Sequence, residues 1–192
     1  MRLDHIAYRV KDRGKTAKFF NSCLGYEIGE EFSLEFDDGS TAQCIAMAPP
    51  ESRPENVEEW DVLLADCPDG VVPEDGAAFN SYHCPPEIFV SDGPKGSIVG
   101  DWVEERGGVG GIHHIAYQVE NVELVMKDWR DKKYAEFYSD EPLVCEETHL
   151  IQVFTKPSEL TGIIYELIRR GTNNKGFCEK NVKALMESTK GK

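Results

Sequence analysis

The feature of this sequence that most constrains its fold is an internal repeat. Residues 5–10 read HIAYRV and residues 114–119 read HIAYQV, so the two copies agree at five of six positions. A polar break follows each copy, and then a stretch with helical periodicity, at 16–24 in the first half and 122–133 in the second. Self-similarity of this kind indicates a duplicated structural unit. We predict two related modules, each of which opens with a strand followed by a helix.

Within each copy of the repeat the side chains alternate between two faces of the predicted strand. The first face is apolar and suits packing beneath a helix; it consists of Ile6, Tyr8 and Val10, with Ile115, Tyr117 and Val119 as counterparts. The second face has small and polar side chains, which are His5, Ala7 and Arg9, with His114, Ala116 and Gln118 as counterparts. This second face is typical of the inside of a cup that holds water or a ligand, and equally of a sheet face exposed to solvent.

Further strand candidates follow each predicted helix. They lie at 26–36, 41–47 and 87–91 in the first half and at 135–138, 148–155 and 162–170 in the second. Each module is therefore expected to be β-α-β-β-β. We predict an α+β fold in which two paired modules form one cup-shaped sheet, followed by a C-terminal helix with an apolar stripe.

The predicted modules occupy residues 1–107 and 108–171 of a single structural domain, and 172–192 carries the terminal helix. A proline-rich insertion at 49–86 interrupts the first module and is expected to be mostly loop. A loop of this length suits either a lid over a site or an oligomer contact, so a homodimer is one possibility. The glycine-rich stretch 107–111 is expected to be the hinge between the modules.

Charge and composition narrow the classes of partner. The formal net charge of −14 disfavours binding to nucleic acid and to anionic membranes. The sequence shows neither a long apolar run nor an export leader, and we expect a cytoplasmic protein. The six cysteines include no CxxC pair, so we expect reduced thiols rather than a zinc knuckle or a redox dithiol.

Three side chains are candidates for a metal site. His5 and His114 occupy the same position in the two repeats, and a pseudo-twofold axis would turn both imidazoles into the shared cup. Glu166 lies in an apolar strand, where a buried carboxylate requires a cation. Two imidazoles and one carboxylate are used by non-haem Fe(II) oxygenases and also by catalytic zinc, so the residue types leave the metal open.

Two neighbouring residues receive subsidiary predictions. The repeat aligns His114 with His5, so His113 is expected to point to the other face of its strand. Glu87 opens the last strand of the first module, where pseudo-symmetry suggests a counterpart of Glu166 and therefore a fourth ligand.

Several longer stretches resemble a known family. They read GIHHIA at 111–116, LIQVFTKP at 150–157, IYELIRR at 164–170 and GFCEKNVKAL at 176–185. In order and spacing they resemble the catalytic domain of the 4-hydroxyphenylpyruvate dioxygenase family, within the vicinal oxygen chelate superfamily. The resemblance covers about 75 residues of the second half. In the first half it extends mainly to LDHI at 3–6.

The resemblance implies a function and a set of residue roles. His5, His114 and Glu166 would hold Fe(II), and Gln152 would contact the substrate. Phe154 and Phe177 would flank an aromatic ring, and the terminal helix would close the pocket. The implied reaction is the oxidative decarboxylation of a 2-oxo acid by O2.

The chain also departs from the pattern of that family. Gly100 stands where a glutamine is expected, Val182 stands where a phenylalanine is expected, and Cys178 and Lys180 replace glycines. These departures favour a substrate other than 4-hydroxyphenylpyruvate, such as a larger 2-oxo acid.

Two alternatives stay open. The junction from 101 to 116 resembles that of methylmalonyl-CoA epimerase, where a four-ligand metal polarises a carbonyl and protein carboxylates move protons. An epimerase, isomerase or glyoxalase-like lyase with another divalent metal is therefore an alternative. A non-catalytic protein that binds a small ligand is the other.

Overall fold

A computed structural model describes residues 1–49, 86–171 and 176–190 of the chain. The first half contains strand β1 (Arg2–Val10), helix α1 (Arg13–Leu24) and strands β2 (Glu27–Glu35), β3 (Thr41–Ala48) and β4 (Glu87–Asp92). Helix α2 (Ile98–Glu105) connects the two halves. The second half contains strand β5 (Gly110–Gln118), helix α3 (Val122–Asp131), strands β6 (Leu143–Val144), β7 (Ile151–Phe154) and β8 (Ile164–Arg169), and helix α4 (Glu179–Ser188).

The eight strands form one curled sheet whose order is symmetric about its centre. The order is β2-β3-β4-β1-β5-β8-β7-β6, so each half runs outward from its first strand to its last, third and second strands. The central pair β1 and β5 is antiparallel, whereas β1 pairs with β4, and β5 with β8, in parallel. The predicted α+β cup built from two related modules is confirmed.

The register of the central strands shows how the two repeats are related. His5 pairs with Ala116, and Ala7 pairs with His114. A shift of 109 residues converts each of these pairs into the other, as a twofold axis between β1 and β5 requires. The two histidines are therefore diagonal neighbours at the middle of the sheet.

Helices α1 and α3 begin at residues that suit a helix start. The side chains of Asp12 and Asn121 accept hydrogen bonds from the backbone of Lys15 and Leu124, at 2.9 and 2.8 Å. Both helices pack on the outer face of the sheet. Helix α1 contributes Ala17 and Phe20 to the outer cluster of the first module, and α3 contributes Val122 and Met126 to that of the second.

Helices α2 and α4 cover the inner face of the sheet. Ile98 and Val99 of α2 share one apolar cluster with Val182 and Met186 of α4. The cluster also contains residues of β1, β3 and β4, including Ala7 and Phe89. The cup is thus lined by a helix from each half of the chain.

The structure differs from the sequence-based prediction in its short elements. Residues 135–138 form no extended strand; Phe137 makes an isolated bridge to Thr155, and β6 lies further along the chain. Helix α2 was not expected. The glycine-rich hinge is shorter than predicted, because Gly110 already belongs to β5. Its φ is 85°, and an added Cβ would lie 2.1 Å from the backbone oxygen of Arg9, so no side chain fits there.

The prediction of reduced cysteines is wrong for one pair. Cys145 and Cys178 form a disulfide that links the start of α4 to the segment after β6. Their Cα atoms lie 6.5 Å apart, which spacing in the sequence could not indicate because the two residues are 33 positions apart. Cys23 and Cys44 are free.

Other predictions concern parts of the chain that the structure does not describe. All of the proline-rich insertion except its end residues, Pro49 and Pro86, lies outside the described residues. Within the described ranges, no helix has both the length and the apolar character needed to cross a bilayer.

Candidate metal centre

The three side chains selected from the sequence meet at one point inside the cup. The Nε2 atoms of His5 and His114 lie 3.3 Å apart. Glu166 Oε2 lies 3.3 Å from His5 Nε2 and 3.1 Å from His114 Nε2. All three residues are buried, and their donor atoms could hold a single ion. Three elements that are distant in sequence, β1, β5 and β8, supply one donor each.

A pair of equivalent register shifts supports the two histidines. The pairing of β1 with β5 is irregular at two places. Asp4, between Leu3 and His5, is skipped on β1, and His113, opposite the step from Ala7 to Tyr8, is skipped on β5. Asp4 and His113 are themselves 109 residues apart and precede the two site histidines. Each irregularity places the preceding side chain against the Nδ1 atom of its histidine, as bulges often do near sites. The distances are 2.8 Å for Asp4 and 2.9 Å for His113.

The prediction that His113 faces away from the cup is therefore wrong. Strict alternation would have turned it outward, but the shift in register turns it inward. His113 is buried and lines the same cavity as His114.

Asp4 fixes the orientation of His5. Arg170 donates two hydrogen bonds to the Asp4 carboxylate, from Nε at 2.8 Å and from one terminal nitrogen at 2.7 Å. The carboxylate is thus held ionised, and His5 must donate from Nδ1 to it. The Nε2 atom of His5 is left facing Glu166 and the centre. Such a carboxylate behind an imidazole is the usual support for a metal-binding histidine.

Glu166 is oriented by two amide side chains. Gln152 Nε2 donates to Glu166 Oε1 at 2.6 Å. Asn181 Nδ2 of helix α4 donates in turn to Gln152 Oε1 at 3.1 Å. One carboxylate oxygen is thereby occupied, and the other, Oε2, faces the two imidazoles. Gln152, predicted as a substrate contact, lines the cavity but makes its described hydrogen bonds to Glu166 and Asn181.

The electrostatics of the centre suit a cation. Burial lowers the pKa of His5, but Glu166 and Asp4 outweigh burial and raise this pKa to about 9. Burial raises the pKa of Glu166, but the two histidines outweigh it and hold this pKa well below its usual range. Burial lowers the pKa of His114. At neutral pH the centre therefore carries one proton more than two neutral imidazoles and a carboxylate would, at a place where a divalent ion would satisfy the same donors. Two nitrogen donors and one oxygen donor fit Fe(II) or Zn²⁺.

Glu87 is not placed as the sequence suggested. The register pairs Ala7 with Phe89 and Ala116 with Glu166. Because Ala7 and Ala116 are equivalent in the repeat, Phe89 is the structural counterpart of Glu166. The Glu87 carboxylate instead accepts a hydrogen bond from Arg170 at 3.0 Å. The prediction that Glu87 occupies the position equivalent to Glu166 is wrong, and that position holds an apolar ring.

Aromatic rings and helix α4 form the walls of the cavity around the centre. The space between these walls is about 390 Å³ when the open solvent at its mouth is counted. The ring centroid of Phe154 lies 4.6 Å from that of His114, and the ring of Phe177 lies 5.0 Å from His5 and 4.9 Å from Phe89. Helix α4 adds Val182, Leu185 and Met186. Phe154 and Phe177, which the resemblance placed beside a substrate ring, thus lie directly against the two imidazoles.

A second polar group lies in the cavity wall beyond the centre. Arg9 is 2% exposed and lines the cavity together with Ser91 and His113. Burial, and then the charge of Arg106, lower the pKa of Arg9 to about 9, so Arg9 is still a cation at neutral pH. Arg9 is absent from the site residues predicted from the sequence, although the period-two alternation places it on the same face as His5.

A duplicated β-α-β-β-β cup with metal-binding side chains at its centre defines a class of protein, and the chain matches that class. Residues 2–143 match the Glyoxalase/Bleomycin resistance protein/Dioxygenase superfamily. Since the match covers more than half of the chain, the protein belongs to this superfamily. The expectation of a vicinal oxygen chelate protein is confirmed.

The similar proteins include methylmalonyl-CoA epimerases and a 4-hydroxymandelate synthase. The chain is 23% identical over 169 residues to mitochondrial methylmalonyl-CoA epimerase of Bos taurus, covering 86% of this chain and 73% of the relative. A crystal structure of selenomethionine-labelled methylmalonyl-CoA epimerase matches with a TM-score of 0.61 at 19% identity, covering 90% of this chain and 97% of that one. A triple mutant of 4-hydroxymandelate synthase from Streptomyces coelicolor matches with a TM-score of 0.69 at 17% identity, covering 98% of this chain and 54% of that one.

The solved structures show a shared fold. The named relatives support the epimerase alternative better than the dioxygenase prediction, because the sequence relative is an epimerase.

Proposed function

We propose that this protein is a non-haem Fe(II)-dependent dioxygenase that acts on a 2-oxo acid. The observation that carries the proposal is the number of donors at the centre. The chain offers His5, His114 and Glu166, and Phe89 occupies the place where the second module has its carboxylate. Three protein donors leave positions open for a bidentate substrate and for O2, as in other non-haem Fe(II) oxygenases.

The side chains of the cavity have separate tasks in this proposal. His5, His114 and Glu166 would hold the ion, and Gln152 keeps one oxygen of Glu166 turned toward the imidazoles. A bound Fe(II) would supply the activation of O2 and the polarisation of the oxo group. Phe154 and Phe177 would flank the apolar part of the substrate, and helix α4 would exclude water from the cavity.

An epimerase is the second candidate, and the relation to methylmalonyl-CoA epimerase is the observation that favours it. Such a reaction requires groups that remove and return a proton at carbon. Of the described residues that line the cavity, Glu166 is the one carboxylate, and it already faces the two imidazoles. The neutral ring of His113 is the remaining base in that lining. An epimerase that used this centre would depend on His113 as a base, and a different divalent ion, such as Zn²⁺, would occupy the centre.

A non-catalytic binding protein accounts less well for the centre. Burial of two imidazoles and a carboxylate is costly unless each is paired, and an apolar cup would hold an uncharged ligand without that cost. The support of these groups by Asp4 and Gln152 is expected when they have a chemical task.

The test begins with metal-stripped protein under anaerobic conditions. Fe(II) is added, then an arylpyruvate, and a weak visible charge-transfer band is expected from bidentate binding of the 2-oxo acid. Admission of O2 should release one CO2 for each O2 consumed. His114→Ala should lose most of the bound metal, whereas His149→Ala, at an exposed histidine outside the cavity, should keep it.

The epimerase candidate predicts a different result. It predicts neither a band nor O2 uptake, but exchange of the C2 proton of methylmalonyl-CoA with D2O solvent in the absence of O2. Observation of that exchange, without O2 consumption for any arylpyruvate, would overturn the proposal.

A further inference from the structure

Arg9, in the wall of the cavity, is a buried cation for which the described residues supply no anionic partner. Arg9 donates one hydrogen bond, from a terminal nitrogen to Thr189 Oγ1 at 3.2 Å. Its Nε is buried and has no partner, and no carboxylate of the described residues forms an ion pair with it. Removing a charged group from water is unfavourable unless an opposite charge compensates it. The described residues therefore leave Arg9 one negative charge short.

A second unsatisfied donor lies in the same wall. When His114 faces the centre through Nε2, its proton is on Nδ1 and is donated to His113 Nδ1. The single proton of neutral His113 is then on Nε2. That atom is buried and has no hydrogen-bond partner within the part of the chain that the structure describes. Because buried donors in folded proteins are nearly always paired, two orphaned donors in one cavity point to an acceptor supplied by a ligand.

One aromatic ring holds both donors in place. The Arg9 guanidinium carbon lies 5.8 Å from the centroid of Trp102, and the His113 ring lies 5.6 Å from it, edge to face. Trp102 belongs to α2 and is buried. Both side chains also line the cavity that contains the metal centre. The two donors thus form a fixed polar wall of that cavity.

The spacing along β1 separates this wall from the metal centre. Arg9 is four residues beyond His5 on the same face, which corresponds to roughly 13 Å of strand. Ala7 lies between them on this face and pairs with Phe89, and Val182, Leu185 and Met186 of helix α4 line the same cavity. The cavity therefore has a metal-binding end, an apolar middle and a cationic end.

We propose that Arg9 and His113 bind a carboxylate at the far end of the substrate, so that the protein acts on a 2-oxo acid carrying a second carboxylate beyond an apolar middle. The assignment of a 2-oxo acid rests on the proposed function, whereas the assignment of a second carboxylate rests on Arg9 and His113. A single carboxylate balances the single charge of Arg9, while a phosphate dianion would leave excess charge in a buried site. A local cation also explains how a chain with a net charge of −14 binds a dianion.

The test compares two probes that differ by one group. Phenylpyruvate and 4-carboxyphenylpyruvate are titrated by calorimetry into protein loaded anaerobically with Fe(II). The carboxylated probe should bind at least about tenfold more tightly, the usual contribution of a hydrogen-bonded charge pair. In Arg9→Met the ratio of the two affinities should fall to about one. Lys18→Met, which removes one exposed positive charge elsewhere, should keep the ratio.

A second measurement needs neither the metal nor a variant. Benzoate should protect the metal-stripped wild-type protein from thermal unfolding more than uncharged benzamide does at equal concentration. Equal binding of each matched pair by the wild-type protein would overturn the inference, and so would an unchanged ratio in folded Arg9→Met.

The two proposals fail in different ways. A tenfold ratio without a charge-transfer band or O2 uptake would remove the dioxygenase and keep the carboxylate site. Turnover of both probes with equal affinities would keep the dioxygenase and remove the carboxylate site.

Discussion

Replacement of Asp4 by Asn changes the support of the metal centre without touching a proposed ligand. Asp4 accepts hydrogen bonds from His5 Nδ1 and, through both of its oxygens, from Arg170. An asparagine of the same size has one acceptor oxygen and one amide group that donates. With its oxygen at the Oδ1 position, the asparagine still offers a neutral acceptor to His5 and to one terminal nitrogen of Arg170, but its amide group then faces Arg170 Nε and cannot accept from it.

The expected magnitude follows from these contacts. His5 loses the charged acceptor that fixes its ring and makes Nε2 a better donor to a cation. Loss of such a partner typically reduces metal affinity by about 10- to 100-fold, which is about 1.4–2.7 kcal/mol of binding free energy. Arg170 retains Glu87 at 3.0 Å, so we expect the sheet to stay folded.

The assay is an anaerobic competition titration of Fe(II) or Zn²⁺ against a chromophoric chelator, with circular dichroism as the check on folding. Asp140→Asn is the matched control, because it makes the same chemical change at a fully exposed residue. A dissociation constant of folded Asp4→Asn within twofold of wild type would refute the reasoning, as would an equal loss in the Asp140 variant.

Four further predictions concern His5, Phe89 and the disulfide. Because the pKa of metal-free His5 is raised to about 9, metal binding at pH 7 should release about one proton, and metal affinity should rise from pH 7 to about pH 9. Calorimetry in buffers of different ionisation enthalpy measures the proton release. A metal affinity that is flat from pH 7 to 9 would contradict this prediction. The raised pKa also means that His5 stabilises the metal-free fold fully below pH 6.5 and that this stabilisation is lost as the pH rises through about 9, which urea unfolding at several pH values detects. Phe89→Glu should supply a fourth donor, so metal content should persist while O2 consumption falls to background; continued O2 uptake in metal-loaded Phe89→Glu would argue against the three-donor requirement. Cys145→Ser should lower the free energy of unfolding by about 3–4 kcal/mol, since the Cys145–Cys178 bond closes a 33-residue separation, and reductant should lower the wild-type value similarly but leave the variant unchanged.

The two halves of the centre are not equivalent, although the backbone around them is. The residue before each site histidine is Asp4 in the first module and His113 in the second, and each contacts the Nδ1 atom. The Asp4 carboxylate raises the basicity of His5. The neutral ring of His113 instead accepts a hydrogen bond at Nδ1 and has its own N–H at Nε2, in the wall of the cavity. Under the two proposals, this sequence difference between the copies would assign metal support to Asp4 and ligand contact to His113.

The sequence was sufficient for the features that depend on local periodicity and on duplication. The repeat at 5–10 and 114–119 predicted the two modules, the alternation predicted the inward face of each first strand, and together they selected His5 and His114. These inferences succeed because a strand alternates its side chains and because duplicated segments adopt the same fold.

Tertiary structure decided everything that depends on how strands pair. His113 faces inward, and Phe89 rather than Glu87 corresponds to Glu166, because the register between strands is set by contacts distant in sequence. Arg9 becomes a candidate ligand contact only because folding buries it where none of the described residues offers it an anion, a condition that no local pattern contains. The sequence alone thus determined which side chains share a face, and the folded sheet determined which of them meet.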